Sequence, residues 1–224
     1  MFIQPQIFKN LPVTAGFSFN SSISTDQNDF EKKLIGKKNK KMIFLKQKHT
    51  DKVALFPGSN LNEPFDAVIT RRKEHFLFLR TADCNPILFY EENKKVIGVI
   101  HAGWRGLKQK IFTKTILKAQ EKYNIDVKKL KIAVGPSIRV CCYEVKEDLI
   151  EEFSIFENHQ ELFTHQGSKI YFDQIKTLER EFEKLDIPQN NIEIIDQCTY
   201  CAEGYFSYRK NKTDMRNISF IGME

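Results

Sequence analysis

The chain has 224 residues, a net charge of +6 and 41% hydrophobic residues, a content that excludes a disordered chain. No apolar stretch approaches the ~20 residues that span a bilayer, and the first residues lack the pattern of a signal peptide. We therefore expect a single domain over residues 1–224 of a cytoplasmic protein without membrane contact.

Apolar runs rich in β-branched and aromatic residues predict the strands. In chain order these runs cover residues 42–47, 67–70, 76–80, 86–90, 96–101, 131–134, 170–172, 192–195 and 218–221. Apolar residues three or four apart predict helices over 105–123, from Glu144 onwards, and from the N-cap residue Asp173 to just before Pro188. Strands that first cluster and then alternate with helices predict an α/β domain with a layered mixed sheet and flanking helices.

The basic excess comes mainly from lysine. Its densest cluster comprises Lys32, Lys33, Lys37, Lys38, Lys40 and Lys41. Because neither interleaved aromatic residues nor a recognition helix accompanies these lysines, we interpret them as a solvated loop rather than a nucleic-acid site.

Five cysteines without a secretory signal argue against a disulfide framework. Cys198 and Cys201 have Cys-x-x-Cys spacing, which suits either redox chemistry or half of a zinc site. No second such motif exists, so Cys141 and Cys142 could complete a four-thiolate site only if the fold brought them close. The favoured interpretation is that most of these four are ordinary small buried residues.

Reactive residues follow apolar strands in three segments, residues 46–50, 80–86 and 101–107. Together His49, Cys84 and His101 offer two imidazoles and one thiolate, and three protein ligands with an open position are typical of catalytic zinc. Their spacing matches no short metal motif, and a His or Cys at a strand end is often only packed or exposed. The spacing alone therefore leaves both interpretations open.

The segment 101–107 has a further property, because Gly103 and Gly106 permit a tight turn that opens a helix. Free amide groups at such a turn favour an anion, and Arg105 supplies a planar fork for phosphate or carboxylate. The alternative is a simple strand-to-helix turn with Trp104 in the core.

Several strings resemble those of a known family. They are His101-Ala-Gly-Trp-Arg-Gly-Leu107, Arg80-Thr-Ala-Asp-Cys84, Gly135-Pro-Ser-Ile138, Cys142-Tyr-Glu-Val145, Asp66-Ala-Val-Ile-Thr70 and Phe206-Ser-Tyr-Arg209 with Arg216. From Gln47 to the end, the chain resembles the bacterial laccase-domain (polyphenol-oxidase-like) proteins, which are zinc-dependent purine nucleoside phosphorylases with accompanying adenosine deaminase activity. The resemblance implies a single α/β domain, phosphate as co-substrate, and nucleosides of the adenosine, inosine, guanosine and methylthioadenosine class.

The resemblance also implies that Zn²⁺ is held by His49, Cys84 and His101. We expect Arg105 to hold phosphate, with Arg80, Arg209 and Gln47 as further substrate or phosphate contacts. Asp83, next to a ligand, is a candidate catalytic residue as the partner of a ligand imidazole, or else a turn-forming aspartate. Glu144 is either an acid in the pocket or a complement to a helix dipole.

The chain departs from the family pattern in three places. The usual Gln-x-His-Gly ends in Thr50, the usual Gly after Gly-Pro-x-Ile is Arg139, and the region after Gly16-Phe-Ser18 is shortened. We expect the shortened region to change the rim of the pocket and with it the substrate range.

Two other functions compete with nucleoside phosphorolysis. One is a hydrolase that removes wrongly incorporated amino acids from peptidoglycan precursors, and the other is a binding module with a structural zinc. Multicopper oxidation is rejected, because it needs many paired histidines and the chain has five, none of them paired. Of these five, His75, His159 and His165 are interpreted as surface residues.

Overall fold

Two large β-sheets and a layer of helices form the part of the chain that this computed structural model describes, residues 2–19 and 40–224. The strands are β1 (Phe2–Ile3), β2 (Val13–Ser18), β3 (Lys41–Phe44), β4 (Val53–Phe56), β5 (Ala67–Thr70), β6 (His75–Thr81), β7 (Asn85–Glu91), β8 (Val96–Ala102), β9 (Leu130–Val134), β10 (Glu144–Val145), β11 (Phe163–Gln166), β12 (Lys169–Phe172), β13 (Ile192–Ile194) and β14 (Asn217–Met223). The α-helices are α1 (Trp104–Lys108), α2 (Ile111–Tyr123), α3 (Asp148–Glu152), α4 (Gln174–Lys184) and α5 (Tyr208–Asn211). None of the helices in these ranges is long and apolar enough to cross a membrane.

Both large sheets mix parallel and antiparallel pairs. The five-stranded sheet has the order β1-β2-β14-β6-β3, and the six-stranded sheet has the order β13-β9-β7-β8-β5-β4. The pairs β3–β6, β4–β5 and β9–β13 are parallel, and the others in these two sheets are antiparallel. A small sheet of order β10-β12-β11 lies apart from them. The predicted layered mixed sheet with flanking helices is confirmed.

Strand alternation builds the layers, because successive side chains point to opposite faces of a sheet. In β7, Leu88 belongs to the core between the two large sheets, whereas Ile87 and Phe89 belong to the core under the helices. Phe112 of α2 and Phe182 of α4 complete that second core and meet edge to face, with ring centroids 4.8 Å apart. The six-stranded sheet is therefore buried on both faces, which explains the continuous apolar runs of its central strands.

Two of the predicted helices differ from the structure. The predicted helix over 105–123 is interrupted between α1 and α2 by Lys110, which has a φ of 56°. The segment that begins at Glu144 starts as a strand, because Glu144 and Val145 pair with β12, and only the short helix α3 follows. The predicted role of Glu144 at a helix start is therefore wrong. Asp173 does cap α4, accepting hydrogen bonds from the backbone of the first turn.

Most of the lysine cluster, namely Lys32, Lys33, Lys37 and Lys38, lies outside the described residues. Lys40 is not simply solvated, because its ammonium donates to the carbonyl oxygens of Lys73 and Met223. Lys41 is exposed at the start of β3.

Glu181 of α4 is a buried carboxyl between the helices. Its Oε2 accepts hydrogen bonds from the backbone N–H of Thr113 at 3.0 Å and from the Thr113 hydroxyl at 2.8 Å. Burial raises the pKa of Glu181 to about 7, although these two bonds oppose the shift. The folded protein therefore binds this proton more tightly than the unfolded chain does, and Glu181 stabilises the fold below pH ~4.5 and loses that effect as the pH rises through 7.

We predict that Glu181→Gln removes this pH dependence. Between pH 5 and pH 8 the wild-type free energy of unfolding should fall by about 2–3 kcal/mol more than that of the variant, from a shift between the ordinary value of 4.5 and about 7. Urea unfolding at both pH values measures the difference. Glu183→Gln, an exposed glutamate of the same helix, is the matched control and should behave as wild type. Equal pH profiles for wild type and Glu181→Gln would contradict the prediction.

Candidate metal centre and adjoining cavity

The register of three antiparallel strands brings the predicted ligands together. In the β7–β8 pair Asn85 lies opposite Ala102, so that the next residues outward are Cys84 and Gly103. In the β5–β8 pair Ala67 lies opposite Ile100, and the next step places Asp66 beside His101, whose N–H donates to the Asp66 carbonyl at 2.7 Å. One edge of the six-stranded sheet thus presents a thiol, an imidazole and a carboxylate.

His49, Cys84 and His101 form a compact group in which one ligand atom from each residue lies within 4.8 Å of the others. The Cys84 Sγ is 3.8 Å from the His49 Nε2, and the two imidazole rings have centroids 4.8 Å apart. His101 is 4% exposed, Cys84 is half-buried and His49 is exposed. The group is therefore closed on the protein side and reachable from solvent on the His49 side.

The Asp66 carboxylate, with no exposed surface, holds the loop that carries His49. It accepts hydrogen bonds from the N–H groups of Lys48 (3.2 Å), His49 (3.1 Å) and Thr50 (2.6 Å) and from the Thr50 hydroxyl (2.8 Å). His49 has a φ of 57°, in the left-handed region that favours glycine. Successive N–H groups around such a residue form a concave anion site, and here the anion is the protein's own carboxylate.

The same carboxylate orients the second imidazole. Asp66 Oδ1 and His101 Nδ1 are 2.7 Å apart, so that Nδ1 carries a proton and Nε2 points towards Cys84 and His49. A carboxylate bonded to the far nitrogen of an imidazole is the usual outer partner of a metal-ligating histidine. Asp66 was not expected in this role; the signals in the sequence were an aspartate directly before an apolar strand and its place in the family-like string Asp66-Ala-Val-Ile-Thr70.

The electrostatics of the group favour a bound cation. Burial by itself raises the pKa of the Cys84 thiol, but the charge and hydrogen bonds of His101 and His49 outweigh burial and lower the pKa to about 6. Burial would lower the pKa of His101, yet Cys84 and Asp66 raise it to about 9. Burial opposes ionisation of Asp66 as well, and His101 and Thr50 bring its pKa to about 2. Two anionic groups thus share one buried imidazolium, whose proton a metal ion can replace.

The donor set fits a metal of intermediate softness. Two imidazole nitrogens and one thiolate with room for a fourth ligand are typical of catalytic Zn²⁺. Gly103 leaves the space that such an ion needs, because a β-carbon there would lie 2.8 Å from the Cys84 Sγ and 3.1 Å from the His49 ring. Gly103 is therefore needed for close packing against the ligands rather than for its backbone conformation, since its φ of −79° is ordinary.

The predicted pairing of Asp83 with a ligand imidazole is wrong. Its Oδ1 accepts the hydroxyl proton of Thr199 at 2.7 Å, and its Oδ2 accepts the backbone N–H of Arg209 at the start of α5, also at 2.7 Å. Its carbonyl oxygen accepts from the Gln174 amide and from the N–H of Ile138. Asp83 has a φ of 88° and ties the turn that carries Cys84 to four other segments, so that its effect on the site is positional.

Of the further residues expected to contact substrate or phosphate, Gln47 is hydrogen bonded to the Arg80 backbone, whereas the exposed Arg80 guanidinium makes no hydrogen bond with the described residues. The Gln47 amide donates to the Arg80 carbonyl and accepts from the Arg80 N–H, both at 2.9 Å. The Arg80 guanidinium lies over the ring of Phe44, 5.3 Å from its centroid. These contacts join the loop of His49 to the strand before Cys84.

A cavity of about 590 Å³ adjoins the metal group, although the three ligands do not line it. Its walls include the aromatic rings of Trp104, Tyr143 and Tyr200 together with Arg209 and the exposed Glu144. Trp104 follows Gly103 directly, and the charges of Cys84 and Asp83 act on the Tyr143 phenol, so that these two residues mark the border with the metal group. Burial raises the pKa of Tyr143, which keeps its hydroxyl protonated.

The two remaining arginines differ in how free they are. The Arg209 guanidinium donates to the Glu144 carbonyl and lies over the Tyr143 ring at 5.2 Å. The exposed Arg105 lies over the Trp104 ring at 4.2 Å, and its guanidinium makes no hydrogen bond with the described residues. Because α1 has five residues, its dipole adds little to an anion site, and the charge of Arg105 is the main attraction.

Two interpretations made from the sequence, of His75 and of the four cysteines outside the metal group, differ from the structure. His75 is buried at 8% exposure against the ring of Phe56 rather than at the surface. Cys141 and Cys201 are exposed and only Cys198 is buried, so that the interpretation of the four cysteines as mostly buried small residues is wrong. The fold brings Cys141, Cys142, Cys198 and Cys201 together, with their sulfur atoms within 4.8 Å of one another.

Comparison with known proteins places this site in a family. The profile described as "Multi-copper polyphenol oxidoreductase laccase" matches residues 20–224. The purine nucleoside phosphorylase of Clostridium acetobutylicum is 32% identical over 221 residues, which cover 93% of this chain and 89% of that protein. The purine nucleoside phosphorylase of Aquifex aeolicus is 35% identical over 184 residues, 81% of this chain and 83% of that protein.

Solved structures share the fold. The Bacillus licheniformis hypothetical protein YfiH has a TM-score of 0.86 at 21% identity, covering 100% of this chain and 96% of that one. YlmD from Geobacillus stearothermophilus has a TM-score of 0.84 at 19% identity, with the same coverage of 100% and 96%.

We predict that Asp66→Asn weakens metal binding about 10- to 100-fold, because the carboxylate no longer fixes the His101 ring or accepts the three N–H groups of the His49 loop. Competition of Zn²⁺ or Co²⁺ against a chelator measures the affinity, at a temperature where the variant is folded. Asp51→Asn, which removes an aspartate paired with Lys114, should bind as wild type. Unchanged affinity in Asp66→Asn would show that the carboxylate does not position the ligand.

Proposed function

The chain belongs to the multi-copper polyphenol oxidoreductase laccase family, and on that premise we propose that it is a zinc-dependent purine nucleoside phosphorylase that also deaminates adenosine. The observation that carries the proposal is the convergence of His49, Cys84 and His101 beside a cavity walled by aromatic rings and an arginine. The relatives from Clostridium and Aquifex, which bear the name purine nucleoside phosphorylase, support it.

Phosphorolysis exchanges one bond at the sugar for another. An oxygen of inorganic phosphate attacks C1′ of the ribose, the bond from C1′ to the purine nitrogen breaks, and that nitrogen takes up a proton. The products are the free purine and ribose 1-phosphate. The chain must therefore hold an anion, present the sugar carbon to it, and stabilise the charge that develops on the leaving base.

The metal group would meet the last of these requirements, stabilising the charge that develops on the leaving base. Zn²⁺ bound by His49, Cys84 and His101 would supply a Lewis acid for the substrate and would acidify a bound water, the chemistry that deamination needs. Asp66 fixes the His101 ring and the His49 loop, so that the two imidazoles are in place before substrate arrives.

The cavity suits a nucleoside. Trp104, Tyr143 and Tyr200 offer flat apolar faces, and stacking of a base on an aromatic ring contributes about 1–3 kcal/mol. A volume of about 590 Å³ falls in the range of small-molecule sites. The Tyr143 hydroxyl, held protonated, is available as a hydrogen-bond donor at the border with the metal group.

We assign phosphate to Arg105. Its guanidinium is exposed, has no hydrogen-bond partner among the described residues, and lies next to the cavity through its stacking on Trp104. Arg209 is the second candidate, since it lines the cavity but already binds the Glu144 carbonyl. The Gln47 amide binds the Arg80 backbone, and we assign Gln47 a positioning role. The exposed Arg80 guanidinium, which lies over the Phe44 ring, remains a further candidate for phosphate.

Copper oxidation, which the family description mentions, is not proposed. A multicopper oxidase requires several copper centres with many histidine ligands. The sequence contains five histidines, and His75, His159 and His165 lie outside the two possible metal groups of the described residues.

We predict that the zinc-loaded protein releases adenine from adenosine only when phosphate is present, together with ribose 1-phosphate. Inosine formed with or without phosphate would report deamination. Chromatographic separation of the products, repeated with inosine, guanosine and methylthioadenosine, measures both reactions. His101→Ala and Cys84→Ser should lower both rates at least about 100-fold, because each removes a metal ligand.

Three outcomes would contradict the proposal. Adenine release without phosphate would indicate hydrolysis rather than phosphorolysis. Release of the wrong amino acid from a peptidoglycan precursor, with nucleosides untouched, would favour the alternative hydrolase. Bound zinc without either reaction would favour a non-catalytic binding module.

We predict that Arg105→Ala raises the KM for phosphate about 10- to 100-fold, the loss expected for a charge-assisted hydrogen bond of ~1.5–3 kcal/mol. The KM for the nucleoside should change less, which separates phosphate binding from a general disturbance of Trp104. Arg72→Ala, at an exposed arginine between β5 and β6, is the matched control. An unchanged phosphate KM would transfer the role to Arg209.

A further inference from the structure

Four cysteine sulfurs meet at one point of the surface, away from the metal group of His49. The sulfur atoms of Cys141, Cys142, Cys198 and Cys201 lie within 4.8 Å of one another. We propose that these four residues bind a second, structural Zn²⁺ that fastens one wall of the cavity. The proposal goes beyond the proposed function and does not depend on it.

Backbone hydrogen bonds hold the two cysteine segments side by side. Ser137 and Cys198 form a parallel bridge, in which the Ser137 N–H donates to Gln197 at 3.3 Å and the Thr199 N–H donates to Ser137 at 3.1 Å. Cys142 lies on a turn closed by its N–H to the carbonyl of Arg139 at 2.9 Å. The backbone fold therefore brings the four sulfurs together by itself, and no bound ion is needed to explain their proximity.

The geometry is close to that of a tetrahedral thiolate site. Zn–S bonds of ~2.3 Å place the four sulfurs of such a site about 3.8 Å apart. The Cys141 and Cys142 sulfurs are 3.5 Å apart, and all four lie within 4.8 Å, so that contraction by at most ~1 Å completes the site. Four thiolates leave no open position, which is the arrangement of structural rather than catalytic zinc.

Groups around the sulfurs suit a negatively charged cluster. The backbone N–H of Arg139 donates to the Cys198 Sγ at 3.4 Å. The Arg139 guanidinium is 8% exposed and donates to the Ser137 hydroxyl at 2.9 Å and to the Ile195 carbonyl. Its Nε has no hydrogen-bond partner within the described chain, and its nearest carboxylate, Asp196, is almost fully exposed at 3.7 Å.

The positive charge of the buried Arg139 guanidinium would stabilise a zinc ion bound by four thiolates. Four thiolates around Zn²⁺ carry a net charge of −2, which a nearby guanidinium compensates. A buried guanidinium with one unpaired N–H is otherwise costly.

The four-cysteine cluster is continuous with the cavity wall. Tyr143 follows Cys142, and Tyr200 precedes Cys201; both tyrosines line the cavity. Thr199, between the two cysteines of the Cys-x-x-Cys motif, donates its hydroxyl to Asp83, next to the ligand Cys84. A metal here would fix two aromatic walls and the turn of Cys84 with one ion.

Metal analysis of the whole protein tests the proposal. Protein purified without chelator should contain two equivalents of zinc by inductively coupled plasma mass spectrometry. Cys201→Ser should retain one equivalent and Cys84→Ser one equivalent, and the double variant none. Cys201→His, which keeps a zinc ligand, should restore the second equivalent and distinguishes coordination from a packing role.

A wild-type metal content of one equivalent that Cys201→Ser does not change would overturn the inference. So would mass spectrometry of alkylated wild-type protein that shows disulfides among the four cysteines. Neither outcome bears on the metal site of His49, Cys84 and His101. That site is tested independently by the loss of zinc and of activity expected in Cys84→Ser.

A second measurement needs no change in the cluster. Cys84→Ser loaded with Co²⁺ should show the thiolate-to-cobalt charge-transfer absorption of several sulfurs, because the only other thiolate ligand has been removed. Its absence in folded Cys84→Ser would overturn the inference even if Cys201→Ser failed to fold.

Discussion

The ionised carboxylate of Asp66 is the constraint on which the site depends. It has no exposed surface, and a buried charge is tolerated only when it is fully hydrogen bonded. The loop around His49 supplies four of its bonds and the His101 ring supplies the fifth. Because one anion must be satisfied from two elements, the loop and the strand are held at a fixed separation, and the two imidazoles are placed before any metal binds.

Fully hydrogen-bonded polar side chains also position the third ligand, Cys84. Asp83 uses both carboxylate oxygens and its carbonyl to hold the turn of Cys84 against α4, α5 and the Thr199 loop. Gln47 uses its whole amide on the backbone of Arg80. Polar residues close to the ligands in the sequence therefore support the site, whereas Arg105, stacked on Trp104, and the aromatic wall are the groups that we propose for substrate. Such support is what keeps a reactive constellation within the small tolerance that catalysis demands.

Two clusters of soft donors differ in a way that matches two uses. His49, Cys84 and His101 provide three ligands beside a cavity, which leaves room for a fourth group from substrate or water. The four cysteines provide a closed set within the same wall, where Cys142 itself lines the cavity, next to the buried Arg139. In the arrangement we propose, the first cluster carries the chemistry, and the second would hold the wall against which the substrate would lie.

By itself the sequence determined most of the apolar strands, though not β2 and β4, together with the cap of α4 at Asp173 and the types of side chain available as ligands, because local periodicity and residue chemistry decide these features. Only the tertiary structure decided that Asp66 rather than Asp83 pairs with His101, and that Cys141 and Cys142 meet Cys198 and Cys201. Both results depend on strand register and on bridges between distant segments. Pairing of this kind is set by the packing of whole layers, and no local pattern in the sequence records it.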